Sequence, residues 1–357
     1  MIRFRATAGE HSHPVLIGAV GDAAQAFREF GSSGPWPLVT DDHVLALHSE
    51  RLRGLFDFVP LLLPRGETAK NWDTLRNLIQ SFSDLDVSRR TPIVAFGGGS
   101  VGDVTGLAAA LFKRGCPVIH VPTTLLAQVD SAIGGKTAID AAGQKNLVGT
   151  FHLPGLVVAD PAFLATLDER QLRSGYAEVL KYGLIEDPAF FGWCEQNGTP
   201  LLAGEAAARL YATEYCLKSK ARFVAEDLHD LNGRRALLNL GHSFGHAIEA
   251  LSGFGRVLHG EAVAVGMALA YGYSAAKGLC PAADYQRVST HLGDAGLPQR
   301  LGDVGISASA SELVALMCQD KKALSGKLTL ILTRGIGQAF VAPDVDAPDV
   351  EAFLATA

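Results

Sequence analysis

The stretch "TPIVAFGGGSVGDVTGLAAALF", residues 91–112, decides the fold. A short β-rich run ends in three consecutive glycines and passes directly into a segment of helical composition, the strand–turn–helix junction of a parallel α/β sheet. Gly97, Gly99 and Gly102 satisfy G-x-G-x-x-G at that junction. Glycines there let backbone N–H groups and a helix N-terminus approach a pyrophosphate. The acidic residue that usually contacts the ribose about 20 residues later is missing, because the next strand ends "VIHVPTT" (118–124). The turn is dinucleotide-like without being an ordinary Rossmann fingerprint. Asp41, after "WPLVT" (36–40), is a candidate for the missing ribose or adenine contact, and its place in "TDD" suits a turn equally well.

Around this junction, "PVLIGA" (14–19), "WPLVT", "FVPLLLP" (58–64) and "PVIHVP" (117–122) are further β-like runs, separated by helical segments such as "TAKNWDTLRNLIQSF" (68–82). The alternation predicts parallel strands with crossover helices, a Rossmann-like α/β domain over residues 1–159. From Asp160 the pattern changes to long helical periodicity, as in "ERQLRSGYAEVLKYGLI" (169–185) and "GEAVAVGMALAYGYSAAKGL" (260–279), so residues 160–357 are expected to form a mainly α-helical domain. The exception is "KLTLILT" and "QAFVAP" around "RGIG", read as a hairpin. The 357 residues suit two domains. With no low-complexity linker, the halves are expected to pack directly, with a ligand cleft between them.

Composition narrows the function classes. The chain is 48% hydrophobic and 19% charged, and no apolar run reaches the roughly 18 residues of a membrane span. Its formal charge of −6 argues against a general nucleic-acid binder, which needs a basic footprint. The N-terminus lacks the apolar core of a signal peptide, and the five cysteines form no C-x-x-C pair, so a reduced, cytoplasmic setting is expected.

"DSAIGGKTAID" (130–140) looks like a phosphate loop, but G-x-x-x-x-G-K-[ST] requires glycine where Asp130 stands. What remains is Asp130, Lys136, Lys145 and Asn146 in a span without helical or strand periodicity, suited to anionic oxygens or to solvent. In "NLGHSFGHAIEA" (239–250), His242 and His246 lie about 40° apart on one helix face. The glutamate of H-E-x-x-H is absent, which argues against a zinc protease. Gly241 and Gly245 beside them are expected to leave room for a ligand. His259 opens the next helical run, and Glu178 and Lys181 project together from another. One carboxylate with two imidazoles and an open position suits catalytic zinc, which would polarise a substrate oxygen. Spacing does not choose among His242, His246 and His259. Arg234, Arg235, Lys321 and Lys322, with Asn239 nearby in sequence, add cations to an acidic chain, which suggests a substrate with two or more negative charges.

Together, "GGGSVGDVTG" (97–106), "KRGCPVIHVPTTLLAQVDSAIGGKTAID" (113–140), "GQKNLVGTFHLP" (143–154), "GYAEVLKYGLI" (175–185), "RALLNLGHSFGHAIEA" (235–250) and "LHGEAVAVGM" (258–267) resemble the 3-dehydroquinate synthase family, in order, from about Arg65 to Lys322. The resemblance implies an NAD-binding Rossmann-like domain, a helical domain, and a divalent metal, usually zinc and possibly cobalt, between them. It implies conversion of 3-deoxy-D-arabino-heptulosonate 7-phosphate to 3-dehydroquinate and phosphate, a shikimate-pathway step. By matching position it makes Glu178, His242 and His259 the metal ligands and His246 an active-site histidine near the substrate phosphate. Cofactor positions are Asp41, Arg65, Gly66, Glu67, Thr68, Ala69, Lys70, Gly99, Ser100, Val101, Gly102, Asp103, Thr123, Thr124, Lys136, Lys145, Phe163, Leu164, Ala165 and Thr166. Substrate positions are Asp130, Lys136, Asn146, Lys181, Lys220, Arg235, Asn239 and a lysine of "DKK", taken as Lys321. Arg114 matches an arginine that reaches the neighbouring subunit's site, which implies a homodimer. Two departures stand out: "KARFVAEDLHDLNGRR" (220–235) is one residue longer than the family's segment and lacks its D-E-x-E-like run, and His43 stands where an asparagine is common.

The family's chemistry explains these parts. Oxidation of a substrate alcohol by NAD acidifies the adjacent C–H, phosphate leaves, the hydride returns, and the opened ring closes by an intramolecular aldol step. The departing phosphate is expected to take the proton, held by His246, Asn146, Lys136 and Arg114. Rival readings are another sugar-phosphate cyclase, making 2-deoxy-scyllo-inosose or a valiolone-type ring, a metal-dependent polyol dehydrogenase with net NADH production, and a nucleotide-binding sensor.

Overall fold

A computed structural model of the chain describes all residues except 32–33, 232, 254, 320–326 and 357. It divides into two compact units, Met1–Asp168 with Gly204–His229, and Glu169–Ala203 with Asp230–Ala357.

In the first unit the strands are β1 (Ile2–Ala8), β2 (His11–Ile17), β3 (Trp36–Thr40), β4 (Phe58–Leu62), β5 (Ile93–Gly97), β6 (Val118–Pro122), β7 (Lys136–Ala141), β8 (Gln144–Phe151) and β9 (Leu156–Ala159). Seven of them form one sheet in the order β1-β2-β9-β6-β5-β3-β4. Only the β1–β2 pair is antiparallel; the other pairings are parallel, as the sequence pattern predicts. Strands β3, β5, β6 and β9 are buried at every position, because helices and turns cover both faces. The helices here are α1 (Ala24–Arg28), α2 (Asp42–His48), α3 (Trp72–Asp84) and α4 (Gly99–Leu111). Leu75, Leu78 and Phe82 of α3 and Val101, Val104 and Leu107 of α4 fill one core layer, whereas Phe27, Leu52, Phe96 and Phe163 belong to another.

The second unit holds α5 (Glu169–Glu186) and α6 (Pro188–Leu202). The chain then returns to the first unit as α7 (Ala206–Glu226). A single boundary after residue 159 does not describe this division: α7 places Leu217 with Val15, Ile17, Val157 and Ala159 in a third core of the first unit. The second unit resumes with α8 (His242–Ser252), α9 (His259–Ala276), α10 (Ala282–Asp294), α11 (Ala310–Gln319) and α12 (Ala347–Leu354). Its strands β10 (Lys327–Thr333) and β11 (Ala339–Asp346) form the expected antiparallel hairpin.

The span 130–146 is not the irregular loop its sequence suggests. β7 and β8 pair antiparallel, with Ala141 opposite Gln144. The two connecting residues, Ala142 and Gly143, have φ of 49° and 74°, the positive values a type I′ hairpin turn requires. Alanine at the first of these positions hides the usual Asn-Gly signal. Among the described residues, no helix is long and apolar enough to cross a membrane.

Candidate active site

The glycine-rich junction works through close approach rather than unusual backbone angles, since Gly97, Gly98, Gly99 and Gly102 all lack positive φ. A Cβ at Gly97 would stand 2.7 Å from Val101 Cγ2, and one at Gly102 would stand 3.3 Å from Nδ1 of the His120 ring. Helix α4 thereby lies tight against the sheet, with Gly98 as its N-cap.

A polar network in the first unit joins three segments read as cofactor- or substrate-binding. Glu67 Oε1 accepts from Ser100 Oγ at 2.7 Å, and its other oxygen lies 3.8 Å from Lys145 Nζ. Buried Lys70 donates from Nζ to Asp103 Oδ2 at 2.7 Å and also to Asn146 Oδ1. Asn146 holds a left-handed φ of 52°, and its N–H donates to Asp140 Oδ1 at 2.8 Å. Asp140 in turn donates its own N–H to the Lys70 carbonyl at 2.9 Å, closing a ring. Sequence reasoning missed Asp140, because an Asp near a turn carries no signal of a distant partner.

The other expected positions of this unit fall into distinct surroundings. Asp41 caps α2, accepting from the Val44 N–H at 2.9 Å, and Arg65 forks onto Asp42 at 2.6 and 2.9 Å. Thr68 Oγ1 donates to the Arg65 carbonyl, on the 3₁₀ turn that carries Gly66 and Ala69. The Thr123 N–H donates to the Gly97 carbonyl, and Thr124 Oγ1 accepts from the Ala127 N–H. Phe163 and Leu164 are core residues, whereas Ala165 and Thr166 are exposed, with Thr166 Oγ1 2.9 Å from His48 Nε2. Asp130 lies in a single π-helical turn, Ala127–Ser131, and its carboxylate meets Lys220 Nζ at 2.9 Å. Lys220 therefore faces the first unit despite the lengthened segment that follows it. Lys136 and Arg114 are exposed, and Lys113 and Arg114 both have positive φ, 48° and 64°.

In the second unit, Glu178 of α5, His242 at the start of α8 and His259 at the start of α9 each offer a ligand atom, all within 4.8 Å of one another. Glu178 Oε1 lies 3.7 Å from His242 Nε2 and 3.5 Å from His259 Nε2. Lys181, one turn along α5, places Nζ 2.5 Å from Glu178 Oε2, and both side chains are buried. His246 is exposed, with its ring centroid 5.5 Å from His242 and 6.3 Å from His259, and it does not join the group. Gly241 and Gly245 do not open space for a ligand as expected. A Cβ at Gly241 would fall 2.7 Å from the Val263 carbonyl and one at Gly245 3.2 Å from that of Ala262, so these glycines admit the backbone of α9.

The electrostatics suit a cation. Burial, reinforced by the Lys181 ammonium, pushes the His242 imidazole down to about 3, leaving it neutral as a ligand must be. Burial also lowers His259, but the Glu249 and Glu178 carboxylates outweigh it and raise its pKa to about 10. The Glu178 and Glu249 carboxylates thus favour positive charge at His259, and a divalent ion bound by Glu178, His242 and His259 would take the place of the proton on its Nε2. Glu249 was invisible to the search for ligands, although it stands two turns beyond His242 on α8. Arg235 is buried and Asn239 half-buried on one 3₁₀ turn, and Arg234 pairs with Glu186 at 2.5 Å. Lys321 and Lys322 lie outside the described residues.

Known proteins resemble this chain over nearly its whole length. Residues 60–174 match the family model described as 3-dehydroquinate synthase N-terminal, and residues 175–323 match its C-terminal counterpart. A 3-dehydroquinate synthase of Zymomonas mobilis subsp. mobilis is 46% identical over 354 residues, 97% of this chain and 93% of that protein. Among solved structures, the chain is similar to a 2-epi-5-epi-valiolone synthase from Streptomyces hygroscopicus subsp. jinggangensis with NAD+ and Zn2+ bound. The TM-score is 0.89 at 31% identity, covering 99% of each chain. A 2-deoxy-scyllo-inosose synthase complexed with carbaglucose-6-phosphate, NAD+ and Co2+ gives 0.86 at 26% identity, over 99% of this chain and 100% of that one.

Proposed function

The chain belongs to the 3-dehydroquinate synthase family, and from that premise we propose that it converts 3-deoxy-D-arabino-heptulosonate 7-phosphate to 3-dehydroquinate and phosphate, as a homodimer in the cytoplasm. The observation that carries the reading is the group of buried Glu178 with His242 and His259, and Lys181 against it. NAD, when bound, supplies a reversible hydride acceptor, and a zinc or cobalt ion supplies polarisation of the substrate's hydroxyl groups.

The residues of the chain then divide the work. Glu178, His242 and His259 hold the ion. Lys181 balances the charge of the Glu178 carboxylate through their 2.5 Å pair. Asp41, residues 65–70, the turn from Gly99 to Asp103, Thr123, Thr124, Lys136, Lys145 and residues 163–166 hold NAD. In this group Glu67 and Lys70 are oriented by Ser100 and Asp103 before any ligand arrives, which lowers the ordering cost of binding. Asp130, Lys136, Asn146, Lys181, Lys220, Arg235, Asn239 and Lys321 orient the substrate's carboxylate, hydroxyls and phosphate. His246, Asn146 and Lys136, with Arg114 of the neighbouring subunit, hold the phosphate while it takes the proton of the adjacent C–H and departs. Ring opening and aldol closure follow within the same site.

The test is phosphate release by the purified protein with heptulosonate phosphate, catalytic NAD and added zinc. Stoichiometric phosphate without net NADH is expected. Turnover of glucose 6-phosphate or sedoheptulose 7-phosphate in place of heptulosonate phosphate overturns the substrate assignment, and net NADH accumulation overturns the reaction class.

A further inference from the structure

His259 is the first residue of α9, and its ring lies between two carboxylates. On one side Nε2 is 3.5 Å from Glu178 Oε1, and on the other Nδ1 is 3.4 Å from Glu249 Oε2. Glu249 is 3% exposed. It follows His242 by seven positions on α8, so His242, His246 and Glu249 rise from one stripe of that helix. An ionised carboxylate taken out of water is costly unless hydrogen-bonded to a charged or polarised donor. Here one donor is the His259 imidazole, whose opposite nitrogen faces Glu178.

We propose that Glu249 is a positioning residue of the metal site. Accepting a hydrogen bond from Nδ1–H, it fixes His259 in the tautomer that leaves the Nε2 lone pair free for the ion, holds the ring's orientation, and increases the donor strength of Nε2. Without this partner the ring can exchange tautomers and rotate about its χ2 torsion, so part of its population presents N–H where a lone pair is needed. The inference rests on the proposed metal-binding role of Glu178, His242 and His259. A purely packing role for Glu249, filling space between α8 and α9, would leave metal affinity unchanged in an isosteric variant.

The experiment compares the full-length parent with Glu249→Gln and Glu249→Leu. Apoprotein of each is titrated with zinc in competition with a chromogenic chelator, the visible spectrum of the cobalt form is recorded, and circular dichroism checks folding. Glutamine retains the volume and an acceptor oxygen but not the charge. Zinc dissociation constants are expected to rise about 10-fold for Glu249→Gln and about 100-fold for Glu249→Leu, with shifted cobalt bands. A folded variant of either kind that binds zinc within about twofold of the parent overturns the proposal. If leucine prevents folding, the glutamine variant decides. A parent that binds no zinc overturns the metal reading itself, a failure distinct from one confined to the variants.

Discussion

His242 and His246 differ in surroundings more than in position. The first is nearly buried with Nε2 turned to Glu178, and the second is exposed on the same helix. His242→Ala is therefore expected to purify with little zinc, and His246→Ala to retain it while kcat falls by about 10²–10³-fold, the order for loss of one preorganised hydrogen bond to a group gaining negative charge. Metal analysis of the two purified variants, beside their turnover numbers, checks this, and equal zinc loss in both contradicts it. At this scale the sequence was only partly legible. Helical periodicity put both histidines on one face, but it could not weigh burial, which depends on where α5 and α9 pass. The choice came from family resemblance before it came from geometry. Glu249 and Asp140 were illegible for a related reason: each acts on a residue fixed by a different turn or helix, and no spacing rule connects them.

Helices α8 and α9 approach so closely that their glycines become structural requirements. A Cβ at Gly266 would overlap the carbonyl oxygen of Gly241, whose own φ of 82° is left-handed. Gly266→Ala is expected to destabilise the protein by about 3 kcal/mol, since backbone cannot yield as a side chain can. It should also weaken zinc binding, because the same crossing sets His242 beside His259; urea unfolding and zinc titration measure the two effects. In the β7–β8 hairpin the opposite change is available. Ala142→Asn places at φ 49° a residue that tolerates the left-handed region, and it is expected to add about 0.5–1 kcal/mol, read as a higher urea midpoint. The parallel strands and the late hairpin were legible from composition and alternation. This hairpin was not, because its turn carries Ala-Gly and its strand β8 is mostly polar or glycine on the exposed side.

At the scale of the whole molecule, two histidines outside the metal group add a pH dependence of their own. His13 on β2 and His120 on β6 are buried, and burial lowers them to about 3 and about 4; His11, His120 and Arg5 add to the effect on His13, and His152 to that on His120. Both ring nitrogens of His13 are buried with no hydrogen-bond partner among the described residues. Folded-state pKa values below the unfolded value of about 6.5 mean that the unfolded chain binds protons first as pH falls. The stability these two groups contribute is thus nearly complete above about pH 6.5 and declines steadily toward about pH 4, by about 4 kcal/mol between pH 7 and 5 for the two together. Urea midpoints across that range test this, and His13→Leu is expected to flatten the slope; an unchanged slope contradicts the assignment.

The path of the chain has a further consequence, in time. It passes from the first unit to the second, back as α7, and out again, so the core that contains Val15, Ile17 and Val157 acquires Leu217 only after some 200 more residues than β2 have been made. At about 5–20 residues per second of synthesis, that interval is about 10–40 s. During it the face of β1 and β2 awaits its helix, with Val15 and Ile17 still lacking the Leu217 side of their core. A nascent chain in this condition is one that a holdase would recognise, and a polypeptide ending at Asp168 would remain in it permanently.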